Sequence, residues 1–134
     1  MKTIFFDSTV SASSAKVLSS QLITFPFETV SFSATFPQGT DQTLQIYFVA
    51  SLTDQSSLTS RPAGENILGQ GSLSQTTDPY LAGSGDASEI VFHRAVFASN
   101  TRILLYANNT DSYQHTVRAK VEVIELTSLE GAKM

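Results

Sequence analysis

Cysteine is absent from these 134 residues, and so is tryptophan. The first absence removes disulfide staples, thiolate nucleophiles and thiolate zinc sites, and it fits folding in the cytoplasm. Charge is also scarce. Only 15% of residues are Asp, Glu, Lys or Arg, against roughly a quarter in ordinary soluble domains. Eight basic residues against twelve acidic ones leave a net charge of −4, and no two basic residues are adjacent. Neutralising nucleic-acid phosphates needs a dense basic footprint, so no nucleic-acid partner is expected. Long apolar runs are missing too. No stretch approaches the ~20 residues of a membrane span. "MKTIFFDSTV" begins like a signal peptide, but its apolar run stops at Asp7, short of the roughly 7 to 15 residues of an h-region. The expectation is a chain that folds in the cytoplasm, with no membrane partner and no export.

Hydrophobic residues make up 41% of the chain, enough for one domain of this size to bury a core unaided. Hydroxyls replace charges, as in "STVSASSAKVLSS" and "SLTDQSSLTS". The clearest pattern is alternation with a period of two, the mark of a strand with one buried face. In "ETVSFSATF", Val30, Phe32, Ala34 and Phe36 share one face. In "TLQIYFVAS", Leu44, Ile46, Phe48 and Ala50 do. "PQGTDQ" between them carries turn-forming Pro37 and Gly39, so the two strands read as a hairpin. A second meander runs through "EIVFHRAVF", "TRILLYA" and "HTVRAKVEVIEL", with "NNTDSYQ" read as a hairpin connection before the last strand. Further strand candidates lie at 3–6, 15–25 and 67–74; the apolar spacing in "AKVLSSQLI" also permits a short helix. About eight strands with long crossing loops predict a single all-β domain over 1–134, an antiparallel β-sandwich of jelly-roll type. The segment to about Ser14 and the tail "LEGAKM" at 129–134 read as flexible arms that order on docking.

Candidate chemistry is thin. Asp111, Ser112 and His115 fall within five residues, but a Ser/His/Asp triad is assembled in space and needs a nucleophile context absent here. His115 reads instead as the first residue of the last strand, capping its turn. His93 sits mid-strand, as a half-buried hydrogen-bonded residue or an interface residue. Asp78, Asp86 and Glu89 offer oxygen ligands of the kind calcium takes, without EF-hand spacing. "GQGS" at 69–72 lacks the helix and third glycine of a phosphate loop. No cofactor and no catalytic residue are expected. Loops this long usually carry contacts, so the 52–88 region is the place to look for a ligand, with glycan the candidate. Tyr80 and Tyr113 are the two tyrosines in expected loops.

Both faces of two strands are apolar. Ile103, Leu105 and Ala107 alternate with Arg102, Leu104 and Tyr106, and "EIVFHRAVF" behaves alike. A two-layer sandwich gives each sheet one outer face, so the second apolar set points to a partner. Arg94, Leu104 and Tyr106 are the expected interface. Arg94 needs a carboxylate or carbonyl partner, at a sheet edge or against a second subunit.

In texture, "ETVSFSATFPQGTDQTLQIYFVAS" and "EIVFHRAVFASNTRILLYANNTDSYQHTVRAKVEVIEL" resemble the small β-sandwich proteins of bacteriophage virions: minor capsid, decoration or tail-associated subunits. The resemblance implies a structural role without enzymatic activity. It implies a homo-oligomer, trimer or larger, bound to other virion proteins after folding in the host cytoplasm.

Overall fold

The computed structural model describes residues 2–37, 43–55, 62, 64–69, 80–83 and 88–126. Among the described residues nine strands follow one another: β1 (Lys2–Val10), β2 (Ser14–Ser19), β3 (Phe27–Thr35), β4 (Leu44–Ser51), β5 (Glu65–Asn66), β6 (Ser88–Phe92), β7 (Val96–Phe97), β8 (Arg102–Asn109) and β9 (His115–Glu125). They form two antiparallel sheets. Sheet A has the order β1-β9-β3-β6, with β7 also on β3, and sheet B the order β2-β8-β4-β5. The first strand thus pairs with the last, the second with the next to last, the third with both β6 and β7, and the fourth with β5. This is one long antiparallel ribbon wound into the jelly roll that the strand pattern predicts.

That winding overturns both expected hairpins. β3 and β4 lie in different sheets, as do β7 and β8, and β8 and β9. Alternation shows which side of a strand is buried but not which strand lies beside it. The segment at 15–25 is strand, not helix, as far as Ser19. The expected strand at 67–74 is instead a 3-10 turn at Ile67–Gly69, and residues 70–74 lie outside the described part. The strand expected at 3–6 lies within β1, which runs on over residues also expected in the arm to 14 and pairs with β9 at nine positions. The tail at 129–134 lies outside the described residues.

The core fills the space between the sheets. Phe6 and Val10 of β1, Phe32 and Ala34 of β3, and Val117, Ala119, Val121 and Val123 of β9 face Leu44, Ile46 and Phe48 of β4 and Ile103, Leu105 and Ala107 of β8. Phe32 and Phe48 join the layers, their ring centroids 4.9 Å apart and tilted by 52°, a favourable arrangement for aromatic quadrupoles. Gly64 lies so close to β4 that a Cβ there would sit 2.4 Å from the Ala50 carbonyl oxygen, at a φ of +142°. Only glycine fits.

A β-bulge corrects the phase of β3. Thr29 pairs with Val123 and Ser31 with Glu122, leaving Val30 as the extra residue. The bulge turns Phe27 and Thr29 to the core side shared by Phe32 and Ala34, and takes Val30 out of the buried set. Thr29 is fully buried, and its hydroxyl works where the neighbouring edge breaks between β6 and β7. It donates to His93 O at 2.9 Å and accepts from Ala95 N–H at 3.0 Å. Buried donors need such partners. Thr29→Val keeps the shape and removes both bonds. Urea unfolding should show a loss of about 1–3 kcal/mol, with the same change at exposed Thr9 costing under about 0.5 kcal/mol.

Candidate functional site

The turn from β8 to β9 carries the densest polar network. Asn109 is 1% exposed. Its amide nitrogen donates to Tyr113 O at 2.8 Å, Ser11 O at 3.2 Å and Val10 O at 3.3 Å, and its Oδ1 accepts from Asp111 N–H at 3.0 Å. One side chain therefore ties the β8–β9 turn to the end of β1. Asp111 completes the knot. Its carboxylate accepts from Ser112 N–H at 2.7 Å and meets His115 Nε2 at 2.8 Å, while its carbonyl accepts from Ser13 N–H at 2.8 Å.

His115 is the first residue of β9, as the sequence predicts, and its ring caps the turn. Ser112 N–H donates to Asp111, and the Asp111–His115 contact closes the same local turn. The hydrogen bond from His115 lowers the Asp111 pKa below 3.8, against the opposing effect of burial and with help from Ser112 N–H.

The five residues singled out for contact do not form one site. Arg94 lies between β6 and β7 at the edge of sheet A, exposed and paired with Glu28 of β3. Its carboxylate partner is within the chain. Leu104 is wholly buried on the far face of sheet B, in a small cluster with Val17 and Val49 against which Tyr106 packs. Its apolar side chain, expected at an interface, is buried within the chain instead. Tyr106 does reach the surface, beside Tyr47 at 5.5 Å between ring centroids. Tyr80, expected in a separate loop site, contacts the same Tyr47 at 5.2 Å. Tyr113 is exposed at the β8–β9 turn, with no ring contact among the described residues.

The outer face of sheet A holds four large exposed apolar side chains. Phe5 is 75% exposed, Phe92 79%, Ile90 56% and Val96 52%. The register places Phe5, Lys120, Ser33 and Ile90 in one row across β1, β9, β3 and β6. Apolar residues hold the two edges, and the middle is hydroxyl and charge. Between Phe5 and Ile90 lies a shallow depression of about 310 Å³ floored by Ser33, Thr35 and Lys120. The doubled apolar faces of "EIVFHRAVF" announced Ile90, Phe92 and Val96. Phe5 was hidden in an apolar triplet, Ile4 to Phe6, where alternation is not visible.

Among the described residues, β1 has a strand partner on one side only, and so does β6. Such edges are templates for pairing unless they are blunted. Among the described residues no cluster of three or more His, Asp or Glu could hold a metal ion, and no helix is long and apolar enough to cross a membrane. Glu89 is described, whereas Asp78 and Asp86, the other calcium candidates, lie outside the described residues. Comparison with protein-family models, curated proteins and solved structures finds no match to this chain.

A carboxylate whose native pKa is depressed stabilises the fold above its unfolded value and ceases to as pH falls through the native value. Asp111 should therefore support the β8–β9 turn fully above about pH 4 and lose that role under stronger acid. Thermal melts followed down to pH 2 should show Asp111→Asn with a shallower acid decline than the parent chain. An identical decline would place the acid sensitivity elsewhere.

Proposed function

We propose that this chain is a non-enzymatic structural subunit that acts by assembling with copies of itself, joined edge to edge through sheet A. The observation that carries the reading is the placement of Phe5 at one edge of that sheet's outer face and Ile90 and Phe92 at the other. Sheet A is antiparallel throughout, so β1 of one copy beside β6 of the next continues the pattern. That contact brings Phe5 against Ile90 and Phe92 and removes both apolar edges from water in one step. It also satisfies the open sides of both strands.

The contact joins different surfaces, so a rotation that closes yields a ring and one that does not yields a filament. The reading assigns a ring of three or more subunits. It agrees with the role implied by the resemblance to phage virion β-sandwich proteins: folding in the host cytoplasm, then docking on other virion proteins as a decoration, minor capsid or tail-associated subunit.

Light scattering over a range of concentrations tests this. The parent chain should give the mass of a trimer or larger assembly. Phe5→Ser or Phe92→Ser alters an exposed side chain and should leave the monomer's melting intact, while weakening assembly about tenfold or more. A strictly monomeric parent chain would contradict self-association.

A further inference from the structure

The outer face of sheet B differs from that of sheet A. Its register places Val17, Tyr106 and Tyr47 in one row across β2, β8 and β4. The row continues onto the segment beside β4. There Leu81 exchanges two backbone hydrogen bonds with Ile46, both at 2.9 Å, and turns inward to the core. Its neighbour Tyr80 therefore faces outward, in ring contact with Tyr47. Three of the chain's four tyrosines come together here, from strands about sixty residues apart and a loop between them.

The next row is Ala15, Asn108 and Gln45. Asn108 Nδ2 donates to Gln45 Oε1 at 3.2 Å, and the Tyr47 hydroxyl reaches the same oxygen at 3.4 Å. That holds two amide planes beside the rings. It also leaves Asn108 Oδ1 and Gln45 Nε2 with no hydrogen bond among the described residues: one acceptor and one donor, side by side. Neither row contains a charged residue. Arg102, on the same strand face, is four residues from Tyr106, about 13 Å at strand rise.

We propose that this face binds a neutral carbohydrate, with Tyr80 and Tyr106 stacking on sugar rings and the Gln45–Asn108 amide pair hydrogen-bonding the hydroxyls. A sugar ring presents C–H groups on its faces, which suit the electron-rich face of a tyrosine ring. At its rim it presents hydroxyls that both donate and accept, which a fixed donor–acceptor pair meets two at a time. Among the described residues, a phosphate, sulfate or carboxylate ligand would find no cation in these two rows, and an aliphatic ligand would leave the amides unpaired. The tilts of 45° and 41° between neighbouring rings make a bent strip, which suits an extended oligosaccharide better than a single enclosed sugar. This site is independent of the edge contacts of sheet A, and loss of either leaves the other standing.

The chain reports on its own site. With no tryptophan, its intrinsic emission comes from four tyrosines, three of them in this cluster. The intact chain is screened on an array of neutral and anionic glycans. Neutral oligosaccharides of the chito, cello and malto series are then titrated while tyrosine emission is followed. The expected result is a saturable change with at least one neutral oligosaccharide. Tyr80→Ala should weaken it about tenfold or more, Asn108→Ala should also weaken it, and Tyr113→Phe should leave it unchanged. Tyr80 is exposed, so its removal should keep the melting temperature, which separates lost binding from lost fold. No saturable response to any neutral glycan would overturn the proposal. So would a response restricted to anionic glycans, or one that survives Tyr80→Ala unchanged.

Discussion

Sheet A depends on β9, and β9 depends on one buried amide. The strand pairs with β1 on one side and β3 on the other, so it must cross over from β8 in the opposite sheet and begin in the right register. Asn109 sets that crossing. Its Nδ2 holds the backbone carbonyls of Val10, Ser11 and Tyr113, while its Oδ1 starts the turn at Asp111. A side chain that satisfies backbone groups of two turns, itself 1% exposed, has no apolar substitute. From there Val117, Ala119, Val121 and Val123 point into the core at every second residue, and β1 and β3 take their registers from them.

The two layers solve the problem of surplus apolar surface differently. In sheet B the second apolar set is buried within the chain: Leu104 packs with Val17 and Val49, and Tyr106 packs against them while staying partly exposed. In sheet A it is exposed and confined to the edges, with serines and ion-paired charges between. Arg118 lies 3.9 Å from Asp7 and Lys120 lies 3.7 Å from Glu122. These charges have partners within the chain and are worth little to stability at such exposure. They do keep the middle of the face wet, so an association that relies on apolar contact is directed to β1 and β6. The break between β6 and β7, with Arg94 held on Glu28, shortens the edge on offer.

Much of the fold was legible in the residues. Period-two alternation located β3, β4, β8 and β9, and an all-β sandwich of jelly-roll type followed from strand number and loop length. Neighbour relations were not legible, because most strands adjacent in the chain lie in opposite sheets and pair with strands far away in the sequence, β1 with β9 and β2 with β8. The bulge at Val30 was also hidden. Thr29 reads as the polar side of a strand, and only the bonds it makes to His93 and Ala95 show why a hydroxyl is buried there. Tyr106 and Tyr80 were both noticed, but in separate roles. Tyr47, which brings them together, looked like the wet face of an ordinary strand.

The absence of cysteine allows a direct test of how copies join. Two single variants, Phe5→Cys and Ile90→Cys, place one thiol at each edge of sheet A. Oxidised separately and then as a mixture, they distinguish unlike edges meeting from like edges meeting. Edge-to-edge assembly of β1 on β6 predicts covalent dimers chiefly in the mixture, each containing one chain of either kind. Dimers of Phe5→Cys alone, formed as readily as in the mixture, would mean that β1 pairs with itself and would contradict the account.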